Sequence, residues 1–192
     1  MRNQNVTGSA QKHFYRLSVK QLVFCGAAVA LATVLSNLKL FHFPTGGSIT
    51  LFSMLIACLP GCWFGLGAGL LTGIAYGLLQ LIIDPYILFP TQVVVDYILA
   101  FGALGLSGLF CHAKYGMIKG YLTGVIGRYF FSVLSGFLFF GAYAWEGWNP
   151  LAYSLVYNGI YLFSEAALTV VLLLLPPVKN ALQKIKEITY KE

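Results

Sequence analysis

A single carboxylate, Asp96, lies a short way into an apolar stretch that begins after Pro90. A charged side chain at that depth of a membrane-spanning segment costs about 2.5–3.5 kcal/mol even on the mildest scale. Such a residue is retained for a partner or a function. We predict that Asp96 lies in a pocket near one membrane face and holds a cationic solute. The alternative is a helix-bridging ion pair with Arg128, which would have no role in binding.

Two later apolar segments carry polar side chains that could share a cavity with Asp96. The first presents four residues at four-residue spacing, which puts them on one helix face: Arg128, Ser132, Gly136 and Phe140. The second contributes Tyr153, Ser154 and Asn158. Glu165 lies deeper on that segment, and the sequence leaves its role open. An apolar pocket with a few polar groups is typical of small-ligand sites, and aromatic rings beside a carboxylate favour a flat organic cation.

The residues give little support to an enzymatic function. The stretch Gly105-Leu-Ser107-Gly108 matches the serine motif of rhomboid-type intramembrane proteases, which need a histidine on another helix. The three histidines, His13, His42 and His112, fall outside the last two apolar segments. No phosphate-binding loop of the Gly-x-x-x-x-Gly-Lys-Ser/Thr type occurs, so the chain cannot use ATP by itself. We predict that the protein is not an enzyme and carries no cofactor.

The cysteines predict packing rather than a metal centre. Cys25, Cys58, Cys62 and Cys111 all lie in or at the ends of apolar segments, and no histidine or acid clusters with Cys58 and Cys62, which are four residues apart. Buried free cysteines behave as small apolar side chains. We therefore predict no metal site.

Composition places the chain in a lipid bilayer. Of 192 residues, 58% are hydrophobic and 9% charged, and no Asp, Glu, Lys or Arg occurs between Lys39 and Asp84. Soluble domains have about 25% charged residues. The net charge of +6 comes from residues that mostly flank apolar segments, which argues against nucleic acid as a partner. We predict one integral membrane domain over residues 1–192.

The apolar pattern predicts an all-α membrane protein with six transmembrane helices. These cover approximately residues 17–37, 49–59, 62–83, 91–111, 120–143 and 151–175. The second is short for a span, which needs about 20 residues, and Pro60-Gly61 is predicted to end or kink it. Residues 38–48 are predicted to form a loop, residues 1–16 a polar basic N-terminal segment and residues 178–192 a basic tail.

The distribution of basic residues predicts how the chain is oriented in the membrane. With six spans, ten Lys and Arg residues fall on the side of the two termini, whereas the opposite loops hold only Lys39, and Arg128 lies within a helix. Loops rich in Lys and Arg stay in the cytoplasm. Both termini are therefore predicted to be cytoplasmic.

Several short motifs, in order, resemble the thiamine-specific substrate-binding subunits (ThiT) of bacterial energy-coupling factor (ECF) transporters. They are Pro44-Thr-Gly-Gly-Ser48, Gly77-Leu-Leu-Gln80, Pro90-Thr-Gln-Val-Val-Val-Asp96-Tyr97, Arg128-Tyr129, Ser135-Gly136, Phe139-Phe140-Gly141 and Tyr153-Ser-Leu-Val-Tyr-Asn158. The resemblance implies a protein of the bacterial cell membrane that captures thiamine from outside. It also implies partners, namely a transmembrane subunit and two ATPase subunits that drive import.

The resemblance also implies roles for individual residues. It assigns the pocket to Asp96, Tyr97, Tyr86, Arg128, Tyr153 and Asn158. Ser132 stands where the family commonly has histidine, and Phe140 and Gly47 stand where some members have tryptophan. Residues 38–48 would act as a lid. The small-residue pairs Gly26/Ala30 and Ala28/Ala32 on the first helix are candidate contacts with the transmembrane subunit.

Two alternatives stay open from the sequence. The chain could bind another vitamin or a thiamine precursor. The serine at position 132, where the family commonly has histidine, favours this alternative. It could also be a structural membrane protein whose polar residues only hold helices together.

Overall fold

Seven helices make up most of the part of the chain that the structure describes. The structure is a computed structural model, and it describes residues 17–43 and 47–190. The predicted N-terminal segment 1–16, residues 44–46 of the first loop and residues 191–192 lie outside the described residues. The helices are α1 (Val19–Asn37), α2 (Ser53–Phe64), α3 (Leu66–Ile83), α4 (Pro90–Phe110), α5 (Gly116–Phe139), α6 (Pro150–Leu174) and α7 (Pro176–Tyr190).

Five of these helices are long and apolar enough to cross a membrane: α1, α3, α4, α5 and α6. α2 has only 12 residues, so its length is about 18 Å, well short of the roughly 30 Å hydrocarbon layer. Most of its residues are buried. α2 is therefore the central helix around which the longer helices pack.

The predicted boundary between the second and third helices was wrong. α2 continues through Pro60 and Gly61 and ends at Phe64. A proline is tolerated within a helix that neighbouring helices enclose. The packing here is close, since the Ser107 hydroxyl of α4 donates a hydrogen bond to the Cys58 carbonyl oxygen of α2 over 3.0 Å. The chain turns instead at Gly65, whose φ of +92° suits glycine and few other residues.

Residues 38–48, predicted as a loop, contain strand structure. β1 (Lys39–His42) pairs with β2 (Ser48–Thr50) as an antiparallel hairpin. The sequence Leu40-Phe-His-Phe43 has the aromatic character that strands favour. The hairpin lies on α6, where a Cβ added at Gly47 would come within 2.7 Å of the Tyr161 ring. The fold is therefore not purely helical.

α4 has an irregular backbone around Asp96. Residues Val94–Leu99 form a π-helical turn, and Ala103–Phe110 form a 3-10 helix. π-turns inside helices occur frequently at functional sites. α3 approaches this turn closely, because a Cβ added at Gly77 would lie only 1.8 Å from the Tyr97 carbonyl oxygen.

We expect Gly77→Ala to lower stability, since the contact atom is backbone and cannot move aside like a side chain. The cost should be about 1–3 kcal/mol, as for other overpacked sites. Thermal unfolding of the purified variant in detergent would measure it. Gly67→Ala, on the same helix, is the matched control, because a Cβ at Gly67 meets no atom within 4 Å. An equal loss for both variants would contradict the close-approach argument.

Small residues of α1 divide between two faces. Ala28 and Ala32 are buried in the chain's own core, so they are not accessible to another subunit in this conformation. Gly26 and Ala30 are exposed. Only the second pair remains available for the predicted partner contact.

Helix α5 and the C-terminal tail add detail that the prediction lacked. α5 ends at Phe139 rather than near residue 143, so Phe140 follows the helix instead of extending its face. After Leu175 the basic tail forms helix α7.

Candidate functional site

A cavity of about 320 Å³ lies between the hairpin and helices α3 to α6. All eleven residues predicted to bind substrate line this cavity: Gly47, Tyr86, Asp96, Tyr97, Arg128, Ser132, Gly136, Phe140, Tyr153, Ser154 and Asn158. The volume is at the lower end of the range for small-molecule sites. Whether each of these residues contacts a ligand stays a prediction.

Gln92 connects Asp96 to the loop between α3 and α4. Its Nε2 donates to Asp96 Oδ2 over 2.8 Å and to the Tyr86 carbonyl oxygen over 2.9 Å. Its Oε1 accepts from the backbone N–H groups of Leu88 and Phe89. The side chain is 1% exposed, and a buried amide with all its groups bonded has a fixed position. Gln92 therefore fixes the position of one oxygen of Asp96.

Arg128 does not form an ion pair with Asp96. Within residues 17–43 and 47–190, the ion pair found joins Lys39 and Asp84 instead. The Arg128 guanidinium lies over the Phe101 ring, 4.1 Å from its centre, and its buried Nε has no hydrogen-bond partner. The geometry therefore does not support the alternative in which Asp96 and Arg128 only hold helices together.

Aromatic side chains form the cavity wall near the α3–α4 loop. Tyr86 stacks on Phe140 with ring centres 5.8 Å apart, and the Tyr97 hydroxyl accepts from the Tyr86 backbone N–H over 2.7 Å. The hydrogen bond from Tyr86 to Tyr143 raises the pKa of Tyr86 above its ordinary value. The Tyr86 hydroxyl, like other tyrosine hydroxyls at neutral pH, can donate a hydrogen bond.

α6 contributes residues whose polar groups already bond to each other. Asn158 Nδ2 donates to the Ser154 carbonyl and hydroxyl oxygens, and its Oδ1 accepts from the Tyr161 hydroxyl over 2.6 Å. α5 and α6 approach closely at Gly136, because an added Cβ would lie 2.1 Å from Ser154 Oγ. Gly136 and Ser154 are thus the close contact between α5 and α6. An Asn158–ligand hydrogen bond would use the second lone pair of Oδ1.

The hairpin covers the cavity and is attached at both strands. On β1, Lys39 Nζ lies 2.7 Å from Asp84 Oδ2, and both side chains are substantially exposed. On β2, the Thr50 backbone N–H and hydroxyl donate to Glu165 Oε2 over 3.1 and 2.6 Å. Exposed ion pairs contribute at most about 1 kcal/mol, so the two attachments differ in strength.

Glu165, whose role the sequence left open, anchors the start of α2. Its Oε1 accepts from the Met54 backbone N–H over 3.1 Å, within the first turn of that helix. A carboxyl group at a helix N-terminus satisfies otherwise unpaired N–H groups and complements the helix dipole. Glu165 is 3% exposed and reaches the cavity wall. Its main contacts are structural.

Sequence reasoning missed several cavity residues, and two signals could have identified some of them. Tyr157 and Tyr161 follow Tyr153 at four-residue spacing, so all three share one face of α6. Gln92 lies four residues before Asp96, one turn away on the same helix. Neither spacing joins two charged residues, so charge alone does not indicate these positions.

Comparison with known proteins identifies the same family that the motifs resemble. The family described as thiamine transporter protein (Thia_YuaJ) matches residues 22–185. The thiamine transporter ThiT of Bacillus subtilis is 32% identical over 169 residues, covering 81% of this chain and 87% of that protein. The ThiT of Lacticaseibacillus paracasei is 32% identical over 136 residues, covering 64% and 66% of the two chains.

A solved structure has the same fold. ThiT from Listeria monocytogenes superimposes with a TM-score of 0.68 at 29% identity, covering 82% of this chain and 94% of that one. The family consists of transporters, which confirms that the protein is not an enzyme. With its several apolar helices, the protein is a multi-pass protein of the bacterial plasma membrane. The chain belongs to the thiamine transporter (ThiT) family.

Proposed function

We propose that this chain is the thiamine-binding subunit of an ECF-type uptake transporter. It captures thiamine from outside the cell, and its partner subunits use ATP to drive import. The observation that carries the proposal is the cavity, in which a carboxylate held by Gln92 faces an aromatic wall. Family membership argues against a purely structural role.

The two ends of the cavity suit the two rings of thiamine. Asp96 attracts the positively charged thiazolium or bonds the aminopyrimidine, and Phe140 with Tyr86 stacks on a ring. Ser132, Tyr153 and the remaining acceptor site of Asn158 hydrogen-bond the heterocycle. The hairpin acts as the lid of this site.

We further propose six membrane crossings with both termini in the cytoplasm. Besides the five long helices, α2 makes a crossing, although it is too short to span the hydrocarbon layer alone. The hairpin that precedes α2 covers the remaining depth of the bilayer. Among the described Lys and Arg residues, Lys39 is the one assigned to the outer side and Arg128 lies within a helix, which follows the positive-inside rule. The exposed pair Gly26 and Ala30 on α1 contacts the partner transmembrane subunit, since small residues permit close helix approach.

Titration of purified protein with thiamine tests the proposal. Trp145 lies 5.2 Å from the cavity residue Tyr153, ring centre to ring centre, so binding should change tryptophan fluorescence as well as release heat. Saturable binding at micromolar or lower thiamine is expected. Absence of binding in folded protein would refute the thiamine assignment.

A thiamine precursor is a second candidate, because Ser132 provides a hydroxyl where the family commonly has an imidazole. The hydroxymethylpyrimidine half would then compete more strongly than intact thiamine. Competition titrations with the two molecules distinguish these ligands.

We expect Gln92→Met to weaken thiamine binding about tenfold, since it removes one hydrogen bond that orients Asp96 and three that order the α3–α4 loop. Methionine keeps similar volume, so packing is largely preserved. Calorimetric titration measures the affinity. Gln183→Met, on exposed α7, is the control. Unchanged affinity in Gln92→Met would show that the loop and Asp96 are positioned without this amide.

A further inference from the structure

The C-terminal helix α7 runs across one end of the helix bundle instead of extending away from it. It begins at Pro176, directly after the last membrane helix, and packs against α6 and α1. At its far end the Tyr190 hydroxyl donates to the Trp63 carbonyl oxygen, and the Tyr190 ring contacts Phe64. Trp63 and Phe64 end α2. A helix tied to the ends of α6 and α2 lies along the membrane surface.

The apolar face of α7 is only partly covered by protein. At about 100° per residue, six residues fall on one side of the helix: Val178, Ala181, Leu182, Ile185, Ile188 and Thr189. Leu182 packs against the core and Thr189 is buried. Ile185 and Ile188 form the other flank and are 41% and 59% exposed.

Lysines border this apolar face on both sides. Lys184 lies next to the exposed flank, and Lys179 and Lys186 lie on the opposite border, whereas Glu187 is on the far side of the helix. Among the described residues, none of these three lysines has an ion-pair partner. An apolar sector with cations at both borders is the arrangement of helices that lie in a membrane interface.

We propose that α7 is an interfacial helix that binds anionic phospholipid headgroups. Ile185 and Ile188 enter the boundary between headgroups and acyl chains, while Lys179 and Lys184 contact lipid phosphates. The connection to α6 already holds α7 at the membrane surface. Binding of α7 to lipid therefore costs no entropy of bringing a free helix to the membrane, and the attraction of each lysine adds to the binding. A lysine near an anionic surface contributes roughly a fivefold shift in such an equilibrium.

Hydrogen exchange of the full chain in nanodiscs tests this proposal. The peptide covering 176–190 should exchange about 25-fold more slowly in phosphatidylcholine mixed with phosphatidylglycerol than in phosphatidylcholine alone, since two lysines each contribute about fivefold. The double variant Lys179→Gln/Lys184→Gln should lose this difference. Lys114→Gln/Lys119→Gln makes the same charge change between α4 and α5 and should retain it.

Two results would overturn the proposal. Equal exchange of this peptide in both lipids would show that anionic headgroups do not bind α7, as would a lipid effect that persists in Lys179→Gln/Lys184→Gln. Protection that develops only when other transporter subunits are bound would assign the face to protein contact. Thiamine is absent from the measurement, so its outcome is independent of the proposed ligand.

Discussion

Replacement of Asp96 by Asn should reduce thiamine affinity by about 100-fold. Asparagine keeps the shape and can still accept the Gln92 hydrogen bond, but it lacks the negative charge that faces the cavity. The Arg128 guanidinium, which has no ion-pair partner among the described residues, would then repel a cationic ligand. Calorimetric titration of the purified variant measures the loss.

The control for this variant is Asp84→Asn, the same chemical change in an exposed ion pair. Its effect should be within a few-fold, because solvent screens the Lys39–Asp84 pair. The neutral hydroxymethylpyrimidine half gives a second comparison. If Asp96 contacts the thiazolium, binding of that half should change much less than binding of thiamine. If folded Asp96→Asn bound thiamine with unchanged affinity, Asp96 would not be part of the binding site.

Replacement of Glu165 by Ala should cause the largest loss of stability, about 3 kcal/mol. The change removes the acceptor for the Thr50 and Met54 backbone N–H groups in a buried position. Unpaired buried donors each cost about 1–3 kcal/mol. The midpoint of thermal unfolding should fall by on the order of 10 °C.

Two further variants make this prediction specific. Glu165→Gln keeps one acceptor oxygen and should lose an intermediate amount of stability. Glu187→Ala removes an exposed acid on α7 and should have almost no effect. If Glu165→Ala unfolded at the temperature of the unaltered chain, the hydrogen bonds to α2 and β2 would not stabilise the fold.

Sequence patterns identified the long helices well because apolar length alone determines them. The predicted element boundaries were wrong where tertiary contacts determine the local structure. Pro60 remains inside α2 because surrounding helices enclose it, and the pairing of Lys39–His42 with Ser48–Thr50 becomes favourable on the α6 surface. Neither contact is visible in local sequence.

The candidate site was predicted more completely than its internal bonding. Polar residues in apolar segments are expensive, so Asp96, Arg128 and Asn158 stood out, and all three line the cavity. Which of them pair with each other depends on distances between helices. Arg128 was a natural partner for Asp96 by charge, yet the carboxylate bonds to the neutral Gln92 instead. A neutral amide four residues away gave no comparable signal.

The attachment of the hairpin determines how the site can open. β2 is joined through Thr50 and Glu165 to the buried start of α2, so moving it would disturb the centre of the bundle. β1 follows α1 with only Leu38 between them, and its Lys39 lies opposite Thr50 at the base of the hairpin. Both strands are therefore fixed at this base. At the far end, Phe43 is held by ring contacts with Tyr157 and Tyr161 of α6, so the hairpin should open by lifting Phe43 from α6 while its base stays in place.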